Sequence, residues 1–522
     1  MTKRVTRREA LKFGTTAAVS AAVAPLLAGE LTDRRNLLIA EESASNSMAP
    51  SSTDEICYLR AVDLAEMIRQ KKLSAREVMQ AHLAQIERVN PKVNAVVTLV
   101  PEDQLMARAA TADEALAHGK WLGPLHGMPV AVKDLHETKG IRTTYGSPLF
   151  RDHVPQADCL LVQREKSAGA IVIGKTNVPE FGLGSQTFNP VFGASRNPYD
   201  VTKTCGGSTG GGSVAVACGM APIADGSDMG GSLRNPPNFC SVVGIRPSPG
   251  RVPSFPSRLG WQTLSVQGPV ARNVTDCAFF LSVLAGFDRE SPIAIDQPGN
   301  IFAQPLGRSL KGTRVAMFRD LALPWDPQVK ATVLAQRKLF ESLGCTIEEA
   351  EPDLHDADEC FLAWRHWSME LSYGDLLATK GDQLNEYVRW HLEQGHQLTG
   401  PYLARVEAKR TALYQRMREF MEKYEFFILP VNQVVPFDVN VHYPTEIAGV
   451  KMESYMAWMK SAYFISTVGN PAISVPCGFS AEGLPIGIQI VGRHHDDWGV
   501  LQMGFAFEQA ASVGRRQPPV VS

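Results

Sequence analysis

Two serines, Ser208 and Ser232, stand twenty-four positions apart, and each follows a pair of glycines. The first lies in "GGSTGGG" (206–212), the second in "GSDMGGSLRNP" (226–236). Glycine pairs let the backbone take unusual φ/ψ and approach a neighbour closely. Successive N–H groups in such a turn can converge into an anion-binding nest. A hydroxyl beside a nest supplies what acyl transfer requires, a nucleophile and donors for the oxyanion created by its attack. Each serine also has a plainer reading. Ser208 suits an ordinary turn, and Ser232 suits a helix N-cap.

Three better-known patterns occur and fail on context. "GAIVIGKT" (169–176) matches a phosphate loop by letter, but its four variable positions are apolar strand residues rather than a glycine-rich turn. "VAVK" (130–133) resembles the kinase strand lysine, yet no glycine-rich loop precedes it and no His-Arg-Asp or Asp-Phe-Gly follows. "GGSTG" (206–210) fits a nucleophile elbow, which must sit between a strand and a helix. The preceding "NPYDVTKTC" is a poor strand. A serine–histidine esterase using Ser208, with His494 or His495 as base, therefore stands as an alternative.

The elements that must position these serines alternate in type. Short apolar runs read as buried strands at 128–134, 169–175, 313–318, 426–431, 472–476 and 486–492. Helical stretches lie between them. Ser74 and Glu77 make a capping box before "AREVMQAHLAQIERVN", and Gly344 stops "DPQVKATVLAQRKLFESLG". Alternating strands and helices predict an α/β protein, a single large domain with a central mixed sheet flanked by helices. Residues 355–425 have few strand signals and many charged helical stretches, so a helical insertion is expected there.

The chain has 522 residues, 44% hydrophobic and 20% charged, with a formal net charge of −2. That is ordinary globular material, and no charge block suggests nucleic acid as a partner. The 9 cysteines are scattered without Cys-x-x-Cys pairs, which argues against a zinc site or disulfide framework and for small buried residues.

The amino terminus is different. "TRREALK" (6–12) resembles a twin-arginine export signal with Ala10 where phenylalanine is usual, and the stretch 13–28 is uncharged and alanine-rich. The expectation is a signal peptide over 1–29, a flexible tether over 30–56 and a mature domain over 57–522, periplasmic or secreted, with a cytoplasmic location as the alternative. The apolar stretch is too short and too weak for stable membrane insertion after processing.

The order of several stretches resembles the amidase signature family. "GPLHGMPVAVKD" (123–134), "GKTNVPEFG" (174–182), residues 206–247, "GPVARNVTDCAFFLSVLAG" (268–286), "NPAISVPCGF" and "LPIGIQIVG" follow that family in sequence, covering roughly 57–511. "GSDMGGSLRNP" and "VVGIRPSPGRVP" are similar to the branch containing 6-aminohexanoate cyclic dimer hydrolases. Thr209 replaces a frequent serine, and Asn235 with a double proline replaces small or branched residues.

The resemblance implies the amidase signature fold and a Ser-cisSer-Lys triad. Lys133 is then the catalytic lysine, Ser208 the serine at the cis peptide and Ser232 the nucleophile. The backbone N–H groups of Met229, Gly230, Gly231 and Ser232 would form the oxyanion hole. Ser227 and Asp228 would support the lysine and the nest, and Arg234 would be a surface charge or shape the leaving-group side. The chemistry agrees with those roles. A serine needs a base, and a lysine buried at a strand end loses its proton more readily. The implied activity is hydrolysis of a linear or cyclic carboxamide, or a carbamate, through a seryl acyl-enzyme, with a small-molecule amide as partner and no metal or organic cofactor. An amidotransferase-type subunit working within a complex is the remaining alternative. Pocket walls are expected from 136–160, 185–200 and the insertion with its flank, 355–460.

Overall fold

Eleven strands form one mixed sheet through the centre of the molecule. In this computed structural model, residue 50 and residues 52–522 are described, and the signal peptide expected over 1–29 lies outside them. In chain order the strands are β1 (Val96–Leu99), β2 (Pro129–Lys133), β3 (Ile171–Thr176), β4 (Ile223–Asp228), β5 (Val243–Arg246), β6 (Val266–Ala271), β7 (Arg314–Met317), β8 (Thr346–Glu349), β9 (Phe426–Pro430), β10 (Ala472–Phe479) and β11 (Pro485–Gly492). Their order across the sheet is β1-β3-β2-β4-β6-β5-β10-β11-β9-β7-β8. β3, β2 and β4 run parallel, and so do β9, β7 and β8. The middle of the sheet, from β4 through β9, pairs antiparallel.

The six apolar runs became β2, β3, β7, β9, β10 and β11. The other five strands are short or interrupted. β4 ends in "DGSD", and β6 contains Gly268-Pro269. β4, β5 and β6 have sheet neighbours on both sides, so they need no strong pattern of their own, and β1 and β8 are the two edges of the sheet. β2 and β3 are buried along their whole length, as parallel strands covered on both faces should be. Each valine or isoleucine so buried contributes about 1.5–3 kcal/mol.

Helix α1 (Thr53–Tyr58) begins inside the stretch read as tether. Ser52 and Glu55 form a capping box that closes its first turn, so regular structure begins about one helical turn ahead of residue 57. Helix α2 (Ala75–Val93) begins at the predicted Ser74–Glu77 box. The helix expected over "DPQVKATVLAQRKLFESLG" is two pieces, Pro327–Ala335 and Arg337–Ser342, meeting at Gln336. Gly344, at φ +91°, ends the second piece. The short helix α3 (Gly210–Ala217) packs on β2 and β4. The insertion is three helices, α4 (Ala357–Lys380), α5 (Glu386–His396) and α6 (Gly400–Lys423). All nine cysteines are buried and unpaired.

Candidate active site

β2 and β4 are parallel neighbours, and both end at the same edge, where α3 begins. The carboxyl ends of parallel strands are where open α/β sheets hold their ligands. Lys133 is the last residue of β2, Ser227 and Asp228 are the last two of β4, and Ser208 lies two residues before α3. The fold thus brings Lys133 together with residues 75 to 99 positions further along the chain. Lys133 Nζ lies 2.9 Å from Ser208 Oγ, and Ser208 Oγ lies 3.0 Å from Ser232 Oγ. The peptide bond between Gly207 and Ser208 is cis. Gly207 has no room for a side chain, since a Cβ there would stand 2.8 Å from the Gln186 backbone. Ser232 is not a helix N-cap, because the following helix, Asn235–Phe239, is capped at Arg234.

The lysine is fully buried. Burial pushes its ammonium down to about 7, while Asp225 and Asp228 pull the other way. Besides Ser208, Nζ faces Thr209 Oγ1 at 2.9 Å, Ser227 Oγ at 3.1 Å and Ser227 O at 3.4 Å. A neutral amine has two N–H donors and one lone pair. Thr209 and Ser227 can take the two hydrogens, which leaves the lone pair facing Ser208. A proton can then pass from Ser232 to Ser208 and from Ser208 to Lys133 along two hydrogen bonds of ordinary length.

Asp228 organises the turn that carries Ser232. Its carboxylate accepts from Gly231 N at 2.9 Å and Leu233 N at 3.1 Å. It also accepts from Arg234 Nε and Nη2 and from Arg246 Nη1, each at 3.0 Å. Burial alone would raise this carboxyl, but the two guanidiniums outweigh it and hold it well below the usual carboxylate range. Two expectations change here. Of the four N–H groups expected to form an oxyanion hole, that of Gly231 donates to Asp228, whereas those of Met229, Gly230 and Ser232 have no acceptor among the described residues. Arg234 is not a surface charge. It is fully buried and ties Asp228 to Ala462 O, Ser466 Oγ and Gln489 Oε1 at 2.5–2.7 Å. At φ +124°, Gly231 makes this turn possible, and a Cβ there would also stand 2.7 Å from that of Ala462.

Sequence reading missed three contributors. Thr209 appeared only as a departure from pattern, yet it binds Nζ. Asp225 accepts from Lys133 N at 2.7 Å and lies 3.0 Å from His136 Nδ1. Arg246 clamps the carboxylate and the carbonyl of Asp228. The "GSD" run at 226–228 was the one available signal for such a polar strand end.

The competing motifs resolve clearly. "GAIVIGKT" is β3, and its Lys175 is buried, donating to His136 O and, at 2.9 Å, to Thr138 Oγ1. His494 and His495 stack on one another at 4.1 Å beside Tyr414, whereas the recorded partners of Ser208 Oγ are Lys133 and Ser232. The serine–histidine arrangement is absent among the described residues. Cys205 is buried, and its thiol is pushed up to about 12 by that burial, which disqualifies it as a nucleophile. No group of three or more His, Cys, Asp or Glu able to hold a metal occurs among the described residues.

An apolar wall rises beside the serines. Phe181, Leu183, Met369, Leu384, Val388 and Leu392 cluster with Tyr145, Phe150, Tyr373 and Met229. Phe181 and Tyr373 stack at 4.3 Å, and Gly182 is close enough that a Cβ would lie 3.5 Å from Ser208 Oγ. The wall draws on Tyr145 and Phe150, on Phe181 and Leu183, and on side chains of α4 and α5.

The same arrangement of fold recurs in known proteins. The Amidase family profile matches residues 77–501. An acylamidase of Rhodococcus erythropolis is 32% identical over 465 residues, covering 88% of this chain and 97% of the relative. A glutamyl-tRNA(Gln) amidotransferase subunit from Moorella thermoacetica is 35% identical over 489 residues, 89% of this chain and 99% of its own length. The crystal structure of a bacterial aryl acylamidase of the amidase signature enzymes superposes with a TM-score of 0.83 at 24% identity, covering 89% of this chain and all of that one, a likeness of fold.

Proposed function

This chain belongs to the amidase signature family and is an amide-hydrolysing enzyme, and from that premise we propose that it cleaves a carboxamide through a seryl acyl-enzyme formed on Ser232. The observation that carries the reading is the chain Lys133 Nζ–Ser208 Oγ–Ser232 Oγ, at 2.9 and 3.0 Å, ending on a lysine that burial lowers to about 7.

In the first half-reaction neutral Lys133 takes the Ser208 proton while Ser208 takes that of Ser232. The freed Ser232 oxygen bonds to the amide carbon, and the carbonyl electron pair moves onto oxygen. Donors at Met229, Gly230 and Ser232 stabilise that oxyanion, and each such donor is worth about 3–4 kcal/mol of barrier in comparable sites. When the C–N bond breaks, the lysine proton returns through Ser208 to the departing amine. Water then enters, gives its proton to the same relay, attacks the ester and releases the acid and Ser232. The apolar wall favours an acyl or amine part with apolar surface. The test is a panel of amides, carbamates and esters assayed with wild type, Ser232→Ala, Ser208→Ala and Lys133→Ala. Full turnover in Ser232→Ala would refute the assignment.

The 35% identity to an amidotransferase subunit favours a second reading, in which the chain releases ammonia from an amide for a companion protein. Turnover by the isolated chain, at a rate unaffected by candidate companions, counts against it. The twin-arginine pattern at 6–12 supports export. Residues 1–29 fused to a folded reporter should carry it across the membrane, and an Arg7→Lys, Arg8→Lys pair should stop that.

A further inference from the structure

Arg365, on α4, is buried, 5% exposed, and no carboxylate among the described residues lies within ion-pair distance. Its Nε–H donates to His391 Nε2 at 3.1 Å and its Nη2 to Tyr455 OH at 3.2 Å. Its Nη1 reaches only the Met229 sulfur, at 3.4 Å. The imidazole that accepts from Nε carries its proton on Nδ1, which lies 3.0 Å from His366 Nδ1. Burial and the neighbouring Arg365 charge drive both histidines below their usual range, so both are neutral. The guanidinium also lies over the Phe361 ring, 5.8 Å from its centroid; every group on it among the described residues is therefore uncharged, and the cluster carries a net positive charge inside the protein. A buried charge is retained at high cost unless an anion meets it. A guanidinium also has five N–H donors in a planar fork that fits a carboxylate, and three are used here, one of them on a thioether, which is a weak acceptor.

The fork reaches the turn of Ser232 through Met229. Met229 opens the turn that presents Ser232, and its side chain also belongs to the apolar wall beside Ser208. One helical turn before Arg365, Phe361 packs on Gly230 so closely that a Cβ there would stand 2.9 Å from Phe361 Cζ. Met229 is half-buried, a flexible side chain between the guanidinium and the site.

We propose that Arg365 binds a carboxylate carried by the amide substrate, so that the enzyme acts on acidic amides. This rests on the seryl hydrolase reading above. The test compares kcat/KM for matched pairs, with glutaramate against pentanamide for an acid on the acyl side and N-acetyl-β-alanine against N-propylacetamide for an acid on the amine side. Wild type should favour the acid of one pair by about 10- to 100-fold, the range of a charged hydrogen-bonded contact. Arg365→Gln should collapse that preference, mainly through KM, and Arg365→Lys should keep part of it. Equal losses on acid and neutral substrate in Arg365→Gln, or no acid preference in wild type, would overturn the proposal. Should Arg365→Gln not fold, inhibition of wild type decides. Glutarate should inhibit at least about tenfold more strongly than glutaramide, and equal inhibition counts against the site. Hydrolysis of neutral amides without acid preference removes this inference alone, whereas no hydrolysis of either class removes the hydrolase reading and this with it.

Discussion

Lys133 Nζ and Ser208 Oγ stand 2.9 Å apart in a fully buried setting, with Thr209 and Ser227 occupying the other positions around the nitrogen. The amine is thereby aimed at one hydroxyl, the one that in turn lies 3.0 Å from Ser232 Oγ.

Activity should follow the neutral lysine. Burial lowers the Lys133 ammonium to about 7, and only the deprotonated form can accept from Ser208. The rate should fall about tenfold per pH unit below 7 and level off above it. Kinetics from pH 5 to 9 on a neutral amide check this, and a flat profile across 7 would exclude Lys133 as the base. Stability has the matching sign. Between about 7 and the ordinary lysine value of 10.5 the unfolded chain binds the proton that the folded chain lacks. This group's contribution therefore becomes more favourable as pH rises through that window.

Ser232→Ala should lower kcat by about a thousandfold or more while leaving the melting temperature within a few degrees, because the loss removes bond formation rather than packing. Intact-protein mass spectrometry during turnover of a slow substrate should detect the acyl adduct on wild type and none on Ser232→Ala.

Asp228→Asn should destabilise the protein by about 3–5 kcal/mol, since Arg234 and Arg246 are fully buried and would lose their shared anion. Thermal melts measure it. A variant that melts like wild type would show that the two guanidiniums are compensated elsewhere.

Gly207→Ala should abolish activity and soluble expression together. Its methyl group would meet backbone atoms of Gln186 at 2.8 Å, and backbone cannot swing aside as a flexible side chain can. Yield and residual turnover are the readouts, and a well-folded active variant would contradict the packing described.

No cysteine should react with a thiol reagent in the native protein, and all nine should react after denaturation, because every one is buried and unpaired. A fast native thiol would mark local opening around that residue.

The glycine-flanked serines, the apolar strand ending in Lys133 and the alternation of strands and helices were legible because they are local. A glycine pair limits what the backbone can do wherever it falls, and a run such as "PVAVK" must be buried on both faces. What could not be read locally were the partners of buried charge. Arg246 reaches Asp228 across 18 positions, Arg234 reaches Gln489 across 255, and Arg365 reaches Met229 across 136. Those contacts, the engaged Gly231 N–H and an Arg365 with no carboxylate partner among the described residues exist only once the sheet order sets β4 beside β6 and α4 against the Ser232 turn. Propensity and periodicity act over a few residues, but the energy of a buried ion depends on which groups the whole chain brings within about 4 Å of it.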